Sequence, residues 1–169
     1  MTIHSEHPFA PGPDGGDDAR RFRGRLGGAV SLWTSGQDSD RAGLTVSSLM
    51  LATGEPAALL ALLDPDSDLA HTLLETSRAV VTLLEWPHRG LADAFAYTVP
   101  APGGPWRLGE WSWGAYGPRL TSATTWAEVS LIRHEQVGWS TLVTCSVDRV
   151  VVGEGADALL HRRGRYSHS

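Results

Sequence analysis

The sequence predicts a mainly β fold, a barrel with two or three peripheral helices. Two observations support this prediction. Most periodic segments are short runs of alternating or β-branched residues, and the strict alternation of strand and helix that a doubly wound fold requires is missing. The length of 169 residues favours one domain, and 41% hydrophobic with 20% charged residues is typical of globular proteins.

The first quarter of the chain combines an irregular arm with the first strand. Residues 1–18 are rich in Pro, Gly, Asp and His without periodicity, which predicts a disordered or draped arm ahead of a domain that spans 19–169. The pattern then predicts a short helix over 19–25 and a strand over 27–34. Residues 35–41, built on Gly, Asp and Ser, predict a polar hairpin turn.

Two strands, a helix and a further strand are predicted next. Residues 44–52 and 57–63 are apolar runs separated by a Thr-Gly-Glu-Pro turn. Residues 66–68 offer carboxyl and hydroxyl N-caps for a helix that continues to position 74. The β-branched run at 78–84 predicts another strand.

The second half of the chain is dominated by two long strands. Residues 87–96 predict a helix with one apolar face, and residues 97–118 an irregular excursion rich in Pro, Gly and Trp. Residues 126–134 and 139–152 predict two strands of one hairpin. The chain then ends in an apolar and basic tail at 159–166.

Composition argues against several classes of protein. A net charge of -5 and a pI near 5.7 argue against a nucleic-acid partner, which usually requires a basic face. The single cysteine, Cys145, excludes a disulfide framework and a cysteine-rich metal site. No segment approaches the length of a membrane span and the N-terminus lacks a signal pattern, so we expect a cytoplasmic protein without membrane contact.

The sequence contains no recognisable catalytic or metal-binding motif. Its seven histidines are scattered, and no pair has the H-x-x-x-H spacing of a helical metal site. A G-x-S-x-G nucleophile elbow and a G-x-G-x-x-G dinucleotide motif are also missing. We therefore predict no metal ligand and no catalytic side chain.

Seven tryptophans are unusually many, and Trp106, Trp111 and Trp113 cluster with Tyr116 in the irregular excursion. We expect these side chains to anchor the long segment by packing, because long loops need large apolar anchors. An aromatic wall over a flat ligand is the alternative.

The most informative segment runs from Gly43 to Met50 through small and hydroxylated residues. Small side chains let a flat ligand lie close to the backbone, and the Thr and Ser hydroxyls can hydrogen-bond its edge without adding charge. The acidic segment 64–68 that follows fits either a strand end with a helix cap or an anion site at a helix N-terminus.

These motifs, taken in order, resemble the flavin reductase-like family of NAD(P)H:flavin oxidoreductases, which have an FMN-binding split barrel. The resemblance extends from about Phe22 to Tyr166. It rests on a Gly-x-Thr-small-Ser segment, a Pro-led strand, a Ser-containing loop and helix, a Phe-Ala helix end, a motif similar to Gly-x-Pro-x-Leu and a Leu-Leu-x-x-x-Gly-x-Tyr tail, found here at 43–48, 56–63, 67–74, 91–96, 117–120 and 159–166.

The resemblance implies a homodimeric split barrel that binds FMN or FAD near the subunit interface. It also implies which residues bind the cofactor. These are Thr45, Val46, Ser47 and Ser48 at the isoalloxazine and ribityl chain, Ala52, Thr53 and Ser67 at the phosphate, Phe95 in the pocket wall, and Arg165 and Tyr166 in a closing tail.

The resemblance further implies hydride transfer from NAD(P)H to the flavin, with reduced flavin passing to a partner monooxygenase. The flavin carries this chemistry, so no protein acid or base is required. The family often has Gly-Asp-His where this chain has Gly138-Trp139-Ser140. The missing His favours an alternative, a non-enzymatic flavin- or haem-binding module, and a third hypothesis is a barrel that serves only as an interaction module.

Overall fold

The structure, a computed structural model, describes residues 16–155 and 157–169. Three α-helices and twelve strands follow one another in these ranges. The helices are α1 (Gly16–Leu26), α2 (Asp68–Thr76) and α3 (Arg89–Phe95). The strands are β1 (Gly28–Ala29), β2 (Ser31–Ser35), β3 (Ala42–Val46), β4 (Leu49–Ala52), β5 (Ala58–Leu63), β6 (Arg78–Leu83), β7 (Trp111–Gly114), β8 (Gly117–Leu120), β9 (Trp126–Val137), β10 (Ser140–Val151), β11 (Leu159–Arg162) and β12 (Arg165–His168).

A seven-stranded antiparallel sheet forms the body of the molecule, in the order β3-β2-β6-β9-β10-β5-β4. Strands β3 and β4 stand at opposite edges of this sheet, yet only Ser47 and Ser48 connect them. Three residue steps span at most about 11 Å, so the two edges must approach each other. The sheet is therefore curled into a barrel that stays split between its edges, as predicted.

Two smaller sheets cover the barrel. Strands β1, β11 and β12 form a three-stranded sheet, and β7 pairs with β8 as a hairpin. The hairpin is tied to the main sheet by the Thr34 hydroxyl, which donates to the Pro118 carbonyl over 2.5 Å. The remaining turns include short three-ten helices at Asp38–Asp40, Trp86–His88 and Pro105–Leu108.

Three predicted elements differ from the observed ones. The strand predicted over 27–34 is two strands, because the Val30 N–H bonds to Leu159 in the small sheet while β2 continues in the large one. The strand predicted over 44–52 breaks at Ser47 and Ser48, where the chain changes sheet edge. The excursion predicted to be irregular contains the β7–β8 hairpin, since its tryptophans alternate along a strand.

The other predicted elements are confirmed with shifted ends. Helix α1 begins at Gly16, three residues before the predicted start, while residues 1–15 of the predicted arm lie outside the described residues. Strand β9 continues three residues beyond its predicted end, so the β9–β10 turn contains only Gly138 and Trp139. The tail predicted from its motif alone forms the β11–β12 hairpin.

Two apolar cores fill the molecule. The first lies between the curled sheet and α2, and contains Trp33, Leu63, Leu69, Leu73 and Val129 among its buried side chains. The second lies between α3, the β7–β8 hairpin and the small sheet, with Phe95 and Leu32 fully buried at its centre. Cys145 is buried in the first core as predicted, and burial raises the pKa of its thiol to about 12.

No helix in the described part of the chain is long and apolar enough to cross a membrane. Within the same ranges no group of three or more His, Cys, Asp and Glu side chains is placed to hold a metal ion.

Candidate functional site

The predicted ligand segment lies on an unpaired sheet edge. Strand β3 pairs only with β2, in the register Thr45↔Leu32 and Val46↔Ser31, so its other side has no strand partner in the sheet. An edge strand presents alternating N–H and C=O groups on its free side. This edge offers a flat heterocycle both donors and acceptors at close range.

The four residues of the segment differ in how much of each side chain is free. The Thr45 hydroxyl donates to the Ala92 carbonyl of α3 over 2.7 Å, and Val46 is buried in the first core. The Ser48 hydroxyl donates to the Leu62 carbonyl over 2.7 Å and accepts from the Leu62 N–H at 3.3 Å. Ser47 is exposed, and no side-chain hydrogen bond engages it among the described residues. Its hydroxyl is the free polar group of the segment.

Gly43 is required by packing against α3. A Cβ at this position would lie 2.7 Å from Cε1 and 2.9 Å from Cδ1 of Phe95, closer than side-chain atoms approach one another. The Tyr97 hydroxyl donates to the Gly43 carbonyl over 3.4 Å. The glycine therefore lets the Phe95 ring pack closely against β3 and keeps the strand edge thin.

Phe95 lies inside the second core. It is fully buried, and its ring makes edge contacts with Trp106 at 4.9 Å and Trp111 at 5.8 Å between centroids. The Trp111 indole also donates to the Trp106 carbonyl over 2.8 Å. The packing interpretation of Trp106 and Trp111 is therefore supported, and Phe95 supports the strand edge from behind.

The C-terminal hairpin approaches the same helix. Tyr166 is half-buried against the second core, and its ring lies 5.6 Å from that of His161 on the neighbouring strand. Burial, together with hydrogen bonding to the Asp93 carboxylate, raises the pKa of the Tyr166 phenol well above its usual value. Arg165 is exposed at the hairpin turn. Helix α3 thus brings Thr45, Phe95 and Tyr166 into one region.

Ser48 and Ser67 lie together at the end of β5. Ser48 bonds to Leu62, and the Ser67 hydroxyl donates to the Asp64 carbonyl over 2.7 Å, only two residues further along the chain. Ser140 lies at the same end, because its neighbour Thr141 pairs with Leu63. Ser140, where the resemblance to the family implies a His, is therefore beside the Ser67 loop.

The acidic loop before α2 is a strand end with a helix cap. The Ser67 hydroxyl accepts from the Ala70 N–H at 3.2 Å, and the Asp64 carboxylate accepts from the Asp66 N–H at 2.9 Å. These bonds satisfy donors that an anion would otherwise use. Of the two interpretations left open by the sequence, the cap is the one that these contacts support.

Replacing Ser67 by alanine is expected to lower the free energy of unfolding by about 1 kcal/mol, because the cap of α2 is lost. Ser67→Asp keeps a good capping group and is expected to keep that stability, while adding a negative charge. Urea denaturation and FMN titration of both variants check this expectation. If Ser67 lies next to the flavin phosphate, Ser67→Asp weakens FMN binding at least tenfold, and an unchanged affinity removes Ser67 from the phosphate site.

Ala52 and Thr53 lie apart from this group. Ala52 pairs with Ala58 at the start of β5, four residues from Leu62, and both residues are exposed. Four strand residues correspond to about 13 Å. The ten predicted binding residues therefore occupy three places: the α3 region, the end of β5 and the end of β4.

Two contacts of this region were not predicted. Asp93 is the partner of Tyr166, and Tyr97 caps the edge at Gly43. Asp93 is separated from Tyr166 by more than 70 positions, so no local spacing indicates the pair. Tyr97 follows directly on the apolar face of α3, and an aromatic residue at that helix end was the available signal.

Comparison with known protein families identifies the family of this chain. The family described as flavin reductase like domain matches residues 23–169. The chain belongs to this family. The match begins inside α1 and includes every strand of the three sheets.

Curated relatives of this flavin reductase-like chain are similar along most of their length. The FMN reductase (NADH) RutF of Ancylobacter novellus is 29% identical over 143 residues, which cover 84% of this chain and 78% of the relative. The FMN reductase (NADH) RutF of Methylorubrum extorquens strain DM4 is 30% identical over 156 residues, with 88% and 74% covered.

A solved structure shows that the split-barrel fold is shared. The NADH:FAD oxidoreductase SgcE6 of Streptomyces globisporus C-1027 superposes with a TM-score of 0.82 at 21% identity, over 94% of this chain and 95% of that one. At this level of identity the likeness establishes the fold, and function has to be argued from the site.

Proposed function

We propose that this protein is an NADH-dependent flavin reductase, which transfers a hydride from NADH to FMN or FAD. The observation that carries the proposal is its membership of the flavin reductase-like family over residues 23–169. The names of its relatives supply the chemistry, since RutF is an FMN reductase that uses NADH and SgcE6 is an NADH:FAD oxidoreductase.

The free edge of β3 supports a place for the flavin ring. Its alternating backbone groups suit the donors and acceptors on the rim of an isoalloxazine, and Ser47 adds a free hydroxyl. We propose that residues 45–48 hold the ring and the ribityl chain. The other proposed binding residues are Ala52, Thr53 and Ser67 toward the phosphate, Phe95 behind the ring, and Arg165 and Tyr166 in the tail.

A bound flavin supplies the redox chemistry, because it can accept a hydride and pass its electrons on. The protein's part is to hold two flat ring systems in contact and to exclude water from them. Neither task needs a protein acid or base. This agrees with a site of hydroxyl and backbone groups, in which Ser140 stands where the family often has a titratable His.

Reduced flavin is proposed to leave for a partner flavin-dependent monooxygenase. The name of the styrene monooxygenase flavin reductase of Pseudomonas putida S12, a protein with the same fold at a TM-score of 0.78 and 20% identity over 90% of this chain and 97% of that one, supports a partner of this kind. The exposed position of Ser47 is consistent with a flavin that enters and leaves.

The outer face of the sheet supports a homodimer. Met50 and Leu62 are 65% and 40% exposed, and they pair across the strands with Leu60 and Leu142 respectively. These four apolar side chains form a continuous patch beside Ser48. Patches of this kind mark interfaces between proteins. We propose that a second copy covers this patch and that the flavin site lies at its margin.

Sedimentation equilibrium tests the dimer. The expected mass is twice the 18.1 kDa of one chain. Leu62→Arg is expected to give monomers, because it places an unpaired charge in an apolar interface, whereas Leu108→Arg, on an exposed leucine elsewhere, leaves the mass unchanged. A monomer for the unaltered protein at micromolar concentration contradicts the proposal.

The proposal also includes the residue range of the flavin-binding domain and the cellular location of the protein. We propose that residues 19–169 form the flavin-binding domain, which the family match over residues 23–169 supports. A cytoplasmic location is supported by the single cysteine, a buried thiol that takes part in no disulfide.

The second candidate function is a flavin- or haem-binding protein without reductase activity. The specific observation that favours it is Ser140, where family members often have a His near the nicotinamide. Such a protein binds its chromophore tightly but does not consume NADH.

Steady-state oxidation of NADH with added FMN or FAD tests the proposed function. We expect NADH consumption that saturates with flavin concentration, and a comparison with NADPH establishes the preferred nucleotide. Flavin binding without consumption of either nucleotide selects the second candidate. Failure of every flavin and of haem to raise the melting temperature, as a native-state ligand must, rejects both.

A further inference from the structure

A groove on the outer face of the barrel contains two arginines whose side chains have no anionic partner in the described part of the chain. The groove lies between the β7–β8 hairpin and strands β6, β9 and β10, with a volume of about 210 Å³. Its charged lining residues are Arg119, Arg149 and Glu128. None of the ten predicted flavin-binding residues lines it.

Both arginines are held by the same tryptophan. The guanidinium carbons of Arg119 and Arg149 lie 4.8 Å and 5.1 Å from the ring centroid of Trp126. Trp126 is 9% exposed, so its ring is a fixed part of the wall. Stacking on an aromatic ring fixes a guanidinium in place while leaving its in-plane N–H donors free.

Those donors are not used by the part of the protein that the structure describes. Among residues 16–155 and 157–169, neither guanidinium has a carboxylate within 4.0 Å or makes a hydrogen bond. Glu128 is the cross-strand neighbour of Arg149, yet the pair makes no such contact. Two fixed cations with free donors therefore face one cavity.

The nearby carboxylate of Asp148 is occupied by hydroxyl groups. Tyr116 donates to it over 2.8 Å, Ser146 over 3.0 Å, and Ser130 donates as well. Burial opposes its ionisation, but these hydrogen bonds hold the pKa of Asp148 below its usual range. Arg78, stacked on Tyr116 at 5.2 Å, is the cation nearest to this network. Asp148 is thus not the counterion of Arg149.

We propose that Arg119 and Arg149 form a binding site for a phosphate-bearing ligand, separate from the flavin site. Phosphate oxygens match the paired N–H donors of guanidinium groups, which bind them in bidentate fashion. The volume is below the roughly 300 Å³ at which pockets enclose drug-sized ligands. The groove therefore takes a compact phosphate or diphosphate group, either free or at the end of a nucleotide.

Calorimetric titration of the full chain with inorganic pyrophosphate, against chloride at equal ionic strength, tests this site. We expect one saturable site per chain. Arg119→Gln and Arg149→Gln are each expected to weaken binding at least tenfold, and Arg149 is exposed, so its substitution leaves the fold intact. Arg133→Gln, the same charge change on an exposed residue of β9, and Ser67→Asp are expected to leave the affinity unchanged.

Two further sets of titrations identify the kind of ligand and the place where it binds. Glu128→Gln is expected to tighten pyrophosphate binding several-fold, because it removes the one negative charge from the lining. ADP that binds more tightly than pyrophosphate, with the gain lost in Trp113→Ala, identifies a nucleotide, and equal affinities identify a free oxyanion. The proposal is overturned by an absence of saturable binding, by an equal loss in Arg133→Gln, or by an unchanged affinity in Glu128→Gln.

Discussion

Phe95→Ala is expected to lower the free energy of unfolding by about 3–5 kcal/mol, the range for removing a large aromatic side chain from a packed core. Phe95 is fully buried, and it contacts both Trp106 and Trp111. The loss includes the transfer energy of the ring and the cavity left among neighbours that cannot close fully. Urea denaturation, followed by far-ultraviolet circular dichroism, measures it.

Variants of Phe95 also test whether this ring acts as a core residue or contacts the flavin directly. Phe95→Leu fills part of the cavity and is expected to recover at least half of the lost stability. The free energy of FMN binding, measured at a temperature where all of these proteins are folded, is expected to change less than the free energy of unfolding. A Phe95→Ala protein that keeps its stability but loses FMN binding contradicts the placement of this ring behind the strand edge.

Gly43→Ala is expected to destabilise the protein by about 1–3 kcal/mol, the usual cost of overpacking a core. The added Cβ meets the Phe95 ring at 2.7 Å and the Trp106 ring at 3.4 Å, and the buried Phe95 ring has no solvent to move into. A shift of the ring displaces α3 from β3, so the Thr45–Ala92 hydrogen bond is weakened as well. Thermal denaturation detects a change of this size.

Gly114→Ala is the matched control, since this glycine is also in a strand but a Cβ there meets nothing within 4 Å. Its melting temperature is expected to stay within the range of ordinary surface substitutions. Equal effects of the two substitutions would contradict a packing role for Gly43.

The main features of the fold could be predicted from local patterns. Period-two alternation and β-branched runs identify β5, β6 and the long β9–β10 hairpin, while Ser67 identifies the start of α2. The breaks at Val30 and at Ser47–Ser48 could not be predicted in this way. At both points the chain changes partner strand, and partner choice depends on residues far away in sequence.

The candidate site was predictable as a segment but not as a set of contacts. The small residues at 43–48 are expected to let a flat ligand approach the backbone, and the edge strand β3 includes residues 43–46 of this segment. The reason for Gly43 is different from the expected one, since the glycine accommodates Phe95. The Asp93–Tyr166 and Ser48–Leu62 contacts join elements that only the closed barrel brings together.

The reduction of FMN by NADH under anaerobic conditions tests the central claim most directly. With the protein present, addition of NADH is predicted to abolish the visible absorbance of oxidised FMN, one FMN for each NADH, much faster than in the protein-free mixture. If the protein binds FMN in equilibrium dialysis but the FMN absorbance is lost no faster than in the protein-free mixture, the assignment of this chain as a flavin reductase is contradicted.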